Sequence, residues 1–379
     1  MKKIFYVAIA GLLLFEILNV YFIMPMPGSQ KMNSIGIAYF LYQWRWVFRL
    51  VFAFLLLYGF YKTVWKRIWL PLVASMAAVA AIYLLNFKMA ADHMFNQPER
   101  LLLASATANK VDTQRLVIGV VLNGEAKAYP IQYLGYHHQV QDTISGKPVM
   151  VTYCTVCRTG RIFEPVVKGK YEKFRLVGMD HFNAMFEDAS SKSWWRQATG
   201  EAVAGKLKGE KLPEVLSTQT SLGEWLRLYP RSMVMQADPS FVSFYDSTFK
   251  YETGKSKSKL TRTDSLSWKD KSWVVCIKSG KTSKAYDWNK LMKERIILDT
   301  IGNASVALVL AGDNKSFFAF ETASRNKPMR MHHDTLLFDN NTYRLDGTGI
   351  NTLSKLKRLP ASQEFWHSWR TFNPGTQVF

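Results

Sequence analysis

Two cysteines separated by two residues, in the string Cys154-Thr-Val-Cys157, are the side chains of this sequence best suited to chemistry. A thiolate is both a strong nucleophile and a soft metal ligand, so the pair points to metal binding or to thiol–disulfide exchange. The flanking residues bear on the choice. A β-branched run over residues 149–153 leads into Cys154, and an apolar run follows from Ile162, which predicts strands on both sides and a hairpin tip between them. Thioredoxin-type motifs lower a thiol pKa by placing it at a helix N-terminus, and no helix is predicted here. A Cys-x-x-Cys tip between strands suits a metal knuckle, with two thiolates aimed at one ion.

A second knuckle would need two more cysteines, and only Cys276 remains. It sits inside an apolar strand-like run and reads as a small buried hydrophobe. Further ligands must then be histidine, methionine or carboxylate. His137 and His138 stand just before the strand that ends in the cysteines, and His181 lies with Met179 and Met185 in a loop-like stretch, residues 178–186. Two thiolates and an imidazole, with His137 as third ligand and His138 or His181 completing the shell, are soft donors suited to copper or zinc. A redox-active disulfide is the second reading. A purely structural disulfide is the third, because a two-residue bridge closes almost no loop. His332 and His333, beside Met329 and Met331, read as a solvated pair, and His93 and His367 as structural.

These side chains must be placed by a chain of marked asymmetry. The net charge is +20, yet residues 1–92 hold 9 Lys or Arg and only 2 Asp or Glu, amid long apolar runs. Stretches at residues 4–24, 37–61 and 68–87 match the length of a bilayer core and predict three transmembrane helices. The first is too long, carries Glu16 and lacks a small-x-small ending, which argues against a cleaved signal peptide. Lys2, Lys3 and the knot Lys62-Thr-Val-Trp-Lys66-Arg67 carry the positive charge, which is expected to lie on the cytoplasmic side, with the chain after Phe87 outside. Arg45 and Arg49, one helical turn apart, are expected to reach outward to the headgroups beside Trp44 and Trp46. The lipid bilayer is thus the expected partner. No Arg-rich run with regular aromatics suggests nucleic acid.

Beyond residue 92 the sequence repeats itself. Residues 115–164 align without gaps on residues 272–321: Lys127-Ala128-Tyr129 meets Lys284-Ala285-Tyr286, Asp142-Thr143-Ile144 meets Asp299-Thr300-Ile301, and Phe163-Glu164 meets Phe320-Glu321. Further on, Trp225 and Pro230 meet Trp369 and Pro374. The expected organisation is a three-helix anchor at 1–92, a β-rich repeat at 93–249 and a diverged repeat at 250–379, with the Lys/Ser/Thr-rich stretch 250–267 as connector. The expected class is α+β, mainly antiparallel. In the second repeat Glu294, Arg295, Ala311 and Asn314 replace both histidines and both cysteines, so only the first carries the site. No Walker loop, Gly-x-Ser-x-Gly elbow or HExxH helix is present.

Several strings together resemble a bacterial family of unknown function, DUF3179: NGEAKAYP, YHHQVQDTISGKPVMVTYCTVC, WWRQATGEAVAG, LGEWLRLYP and FWHSWRTFNPGT. The resemblance covers roughly residues 110–379. It implies that His137 keeps a family histidine, that His138 replaces an acidic residue, and that Trp195 and Gln197 form a Trp-x-Gln element. Thr155-Val156 and Arg158-Thr159 depart from the Pro-Leu and Gly-Ser of the family pattern. The resemblance implies a fold unit and leaves its activity open. A soft-metal protein, a thiol–disulfide oxidoreductase and a non-enzymatic envelope assembly component are the expectations that follow.

Overall fold

Apolar residues fill whole turns near the N-terminus, and in the computed structural model, which describes residues 1–379, they form α1 (Lys2–Tyr21), α2 (Ile35–Tyr61) and α3 (Trp69–Tyr83). A wide turn, Leu84–Lys88, prolongs the third. All three stretches are long and apolar enough to cross a membrane. The chain divides into two compact units, both discontinuous in sequence. The helical unit holds Met1–Asn96, Phe174–Arg196 and Glu201–Glu210; the thiol unit holds the remainder.

In the helical unit, α1 lies so close to α2 that a Cβ at Gly59 would stand 2.8 Å from the backbone nitrogen of Phe5. Glu16 is fully buried, and a charge there survives only if paired. Arg49 supplies the pair through Nε at 2.7 Å and Nη2 at 2.9 Å, and Asn86 Nδ2 donates at 2.8 Å. One carboxylate therefore ties three helices together. Arg49 turns inward, contrary to the expectation of two arginines reaching for headgroups, because a buried carboxylate outweighs the gain of snorkelling. Arg45 stays apart, 3.8 Å from the ring centre of Tyr42. An antiparallel sheet completes the unit, in the order Ala202–Ala204, Trp194–Arg196, Asn183–Asp188, Phe174–Asp180. Its Val177, Met185 and Trp194 bury against Ala38, Ile23 and Tyr42.

The thiol unit is mainly antiparallel, and one strand order occurs twice in it. Met233–Met235, Glu125–Pro130, Leu116–Leu122 and Ser217–Ser221 neighbour one another just as Gln377–Val378, Thr282–Asp287, Trp273–Ser279 and Ala361–Phe365 do. The same holds for Glu214–Val215, Thr159–Phe163, Lys147–Cys154 and Gln139–Ile144 against Lys357–Arg358, Phe317–Thr322, Ala304–Leu310 and Ile296–Ile301. In both halves the first strand named is joined in parallel or at an edge, and the long hairpins are antiparallel.

The recurring residues have a physical role. Asp142 accepts from Lys127 at 3.0 Å and from the Tyr129 hydroxyl at 2.6 Å, and Asp299 accepts from Lys284 at 2.6 Å and Tyr286 at 2.9 Å. Each buried tyrosine thus finds its hydroxyl partner in the following hairpin. Asn123 and Gly124 take positive φ values of 48° and 85°, as a tight hairpin turn requires. Ser221 Oγ accepts from the Glu224 amide at 3.2 Å and caps the helix Leu222–Leu228. The helix lays Trp225 over Gly119, where any Cβ would overlap the indole. Gly119→Ala should therefore cost about 1–3 kcal/mol by overpacking. Thermal unfolding of the detergent-solubilised chain checks this, and an unchanged midpoint would show that the indole moves aside freely.

Candidate functional site

The cysteines lie at a hairpin tip. Cys154 ends the strand Lys147–Cys154 and pairs with Thr159 across a four-residue turn whose last residue, Arg158, has a φ of 57°. A residue with a Cβ adopts that backbone only when its surroundings hold it there. Arg158 Nε donates to Gln363 at 2.8 Å, Nη1 donates to the Tyr251 carbonyl at 2.6 Å, and the guanidinium lies 3.7 Å from the Trp273 ring centre. The Phe365 amide donates to the Cys157 carbonyl at 2.9 Å. Gln197 Nε2 donates to Thr152 Oγ1 at 3.0 Å and to the Thr159 carbonyl at 2.9 Å, bracing the two strands. The tip is thus clasped by residues far along the chain, and both sulfur atoms are fully buried. Residues 250–267, expected to be a connector, contribute buried Tyr251 to this clasp, and buried Glu252 accepts from Arg115 and from the Leu116 amide.

Burial pushes the Cys157 thiol well above the ordinary cysteine range, and its hydrogen bond to Cys154 acts in the same direction. The Ser368 hydroxyl and the Lys271 ammonium oppose that shift. Lys271 Nζ donates to the carbonyls of Val156 and Leu260, each at 2.7 Å, and stands 3.1 Å from His367 Nε2. Burial lowers the Lys271 pKa, while both thiol groups act to raise it. Burial, helped by the Lys271 charge, holds His367 neutral, with a pKa of about 4. An ammonium only donates, so His367 Nε2 accepts from it. Beneath them Glu364, itself buried, accepts from Thr159 at 3.1 Å, Arg161 at 2.6 Å and Ser362 at 2.9 Å. Two thiols and a hydroxyl, all buried, therefore form one cluster with a half-buried ammonium and imidazole. It can hold or release a proton next to sulfur and stabilise the thiolate that results.

The expected ligand histidines are placed differently from one another. His138, at a φ of 59°, takes Nδ1 to within 2.9 Å of the Tyr153 carbonyl, and the Tyr153 amide donates to the His138 carbonyl at 2.9 Å. The carbonyl accepts, so Nδ1 carries the proton and Nε2 keeps its lone pair. Burial drives the His138 pKa down to about 4. At the equivalent place in the other half, Arg295 has a φ of 66°, and the Leu310 amide donates to its carbonyl at 2.8 Å. His137 goes the other way: Nε2 is 2.8 Å from the Tyr245 hydroxyl, and the ring meets Phe241 edge-on at 5.3 Å. His181 belongs to the helical unit, with Nδ1 2.5 Å from Asp180. Within neither unit do three His, Cys, Asp or Glu side chains converge as a metal-binding group. His332 and His333 are exposed and stacked at 4.3 Å, and Cys276 is buried beside Trp369.

Sequence reasoning missed Lys271, His367 and Ser368. His367, expected to be structural, lies in the thiol cluster because the helix Trp366–Phe372 starts directly after Phe365, whose amide is bound to the Cys157 carbonyl. A signal existed in FWHSW, where a polar pair interrupts three aromatics just before the repeat's Trp369.

No curated protein and no solved structure matches this chain. The profile of one family, described as protein of unknown function (DUF3179), matches residues 98–376 and leaves the three long helices outside. The match takes in the cysteine hairpin and the clasp that buries it, and by it the chain belongs to the DUF3179 family.

Proposed function

We propose that this is a membrane-anchored dithiol protein whose Cys154 and Cys157 cycle between dithiol and disulfide. The carrying observation is the Lys271 ammonium bound at 2.7 Å to the Val156 carbonyl, between two fully buried cysteines, with neutral His367 in contact with it. In the forward step one thiolate attacks a disulfide of a partner molecule and the second displaces the mixed disulfide. The Cys154–Cys157 bond forms, the partner's sulfur–sulfur bond breaks, and two electrons and two protons pass to the partner as two thiols. Lys271 stabilises the attacking thiolate, and His367 relays its proton. Thiol trapping over a redox titration of the full chain tests this. A reversible couple between roughly −120 and −270 mV is expected, lost in Cys154→Ser and Cys157→Ser; no couple in that window would reject the reading. Lys271→Met should slow alkylation of the pair about tenfold at neutral pH, since a nearby opposite charge shifts a pKa by about one unit or more. Alkylation should also quicken steadily above pH 7 as the raised Cys157 thiol ionises.

A second reading has one specific support. His138 is neutral, and its Nδ1–H is held by the Tyr153 carbonyl, the arrangement that orients imidazoles toward metals. Cys154 and Cys157 would then take copper or zinc, and His138 would have to be drawn in as the third ligand on binding, since the three do not converge beforehand. Fewer than about 0.2 equivalents of metal in the purified, reconstituted chain would remove it.

The anchor reading rests on three apolar helices of spanning length, with basic residues at Lys2, Lys3 and 62–67 on one side. It places the thiol unit outside the cytoplasm of a bacterial inner membrane, where disulfide exchange is sustained. The repeated strand order and the shared Lys–Tyr–Asp clusters support two diverged copies of one unit, the second retained because it clasps the cysteine tip.

A further inference from the structure

We infer that the helical unit carries a binding site for an anionic phospholipid-like amphiphile, its phosphate on Arg45 and its chain between α1, α2 and α3. The inference rests on the membrane reading of these helices and is independent of the thiols. Among the charged groups in the interior of the three helices, Glu16 and Arg49 neutralise each other. Arg45 does not share in that pairing. It donates to the Tyr42 carbonyl and lies over the Tyr42 ring, and no carboxylate stands within ion-pair distance. A guanidinium in a membrane helix needs an anion or a hydrated exit.

Position makes the anion a headgroup. Counting about 20 residues back from Tyr61 spans a bilayer core and ends near Tyr42, so Arg45 lies close to the phosphate level of the outer leaflet. Two hollows of this unit meet at Arg45, Tyr42 and Arg175. One, of about 450 Å³, runs among Val20, Ile23, Ile82, Leu85 and Phe87 and is apolar along the helices. The other, of about 790 Å³, is lined by Lys192, Lys206 and Ser191, and by Glu187, whose carboxylate is taken by Arg175. Neither lysine has an ion-pair partner, whereas Arg175 is already held by Glu187 and Asp92 at 2.9 and 3.0 Å. An apolar slot opening on a basic basin fits a molecule with an acyl or isoprenoid chain and a phosphate ester, and a free phosphate would leave the slot unfilled. Positive charge at the membrane surface attracts such headgroups by about fivefold per residue.

Trp46 and Trp194 line the apolar slot and provide the assay. The full chain is reconstituted with phosphatidylglycerol or phosphatidylcholine carrying brominated chains, and quenching of tryptophan emission is measured. Stronger quenching by the anionic lipid is expected, reversed by unbrominated phosphatidylglycerol and unaffected by inorganic phosphate. Arg45→Gln should reduce the anionic preference about fivefold, and Arg45→Lys should keep it. Equal quenching by both lipids, displacement by millimolar inorganic phosphate, or an Arg45→Gln variant that keeps the full preference would each overturn the site. Alkaline extraction of the membranes reports separately on the anchor: a chain that stays in the membrane pellet without lipid preference loses the site and keeps the membrane reading.

Discussion

Replacing Glu364 with alanine is expected to destabilise the thiol unit by about 3–5 kcal/mol, the cost of breaking a buried ion pair from one side. Glu364 is almost wholly buried and serves four groups: Arg161, Thr159, Ser362 and Ser368. Without it the buried Arg161 guanidinium keeps only Glu214, whose side chain is 42% exposed and therefore a weak partner. The Thr159 hydroxyl loses its nearer acceptor at the base of the cysteine tip, so alkylation of both thiols in the native state should also quicken. Glu364→Gln keeps the shape and loses the charge, and should fall between. The double variant Glu364→Leu/Arg161→Met should recover much of the loss, because a buried pair replaced by apolar groups of similar volume is often neutral or better. Urea unfolding of the detergent-solubilised chain checks all three variants. An alanine variant within about 1 kcal/mol of the parent would refute the idea that this carboxylate holds the base of the cysteine tip together.

Acidification should destabilise the same unit well before its carboxylates protonate. His138 titrates near 6.5 when unfolded and near 4 when buried in the fold. Between those values the unfolded chain binds a proton that the folded chain refuses, so stability is full above pH 6.5 and falls as the pH drops toward 4. At 1.36 kcal/mol per pH unit the shift is worth about 3 kcal/mol, complete below pH 4. His367, also near 4 through burial and the Lys271 charge, adds in the same direction. Asp246 and Asp299 have depressed pKa values and contribute only at lower pH, whereas burial raises the Glu224 pKa, so its protonation in the fold offsets part of the slope. Urea midpoints from about pH 7.5 to 4.5 measure the slope. His138→Gln should lower the midpoint overall and flatten its pH dependence; a parent chain with no slope in this window would contradict the buried neutral imidazole.

How legible the site was in the sequence differs from one side chain to the next. The hairpin carrying Cys154 and Cys157 was readable, because short β-branched and apolar runs on both sides of the tip mark two buried strands locally. The doubled pattern was readable as well, since Lys127, Tyr129 and Asp142 close a contact over fifteen residues and the same three types recur at constant spacing. His137, expected as the third ligand, has its Nε2 at the Tyr245 hydroxyl. Adjacent residues at a helix end point apart, and the left-handed φ of His138 sends its ring toward Tyr153 while His137 turns to Tyr245. Nothing local encodes that split.

By itself the sequence determined the number and apolar length of the N-terminal helices, the antiparallel hairpins, the doubled Lys–Tyr–Asp pattern and the absence of both cysteines from its later half. All of these are written in periodicity or in residue types a short distance apart. Tertiary structure alone decided that Lys271, Gln363, Glu364 and His367 close over the cysteine tip, and that Glu16 rather than solvent receives Arg49. The physical reason is the same in both places: a buried charge or thiol takes whichever partner the packing of distant segments brings near, and separations of 33 to more than 200 residues leave no periodic trace in the chain.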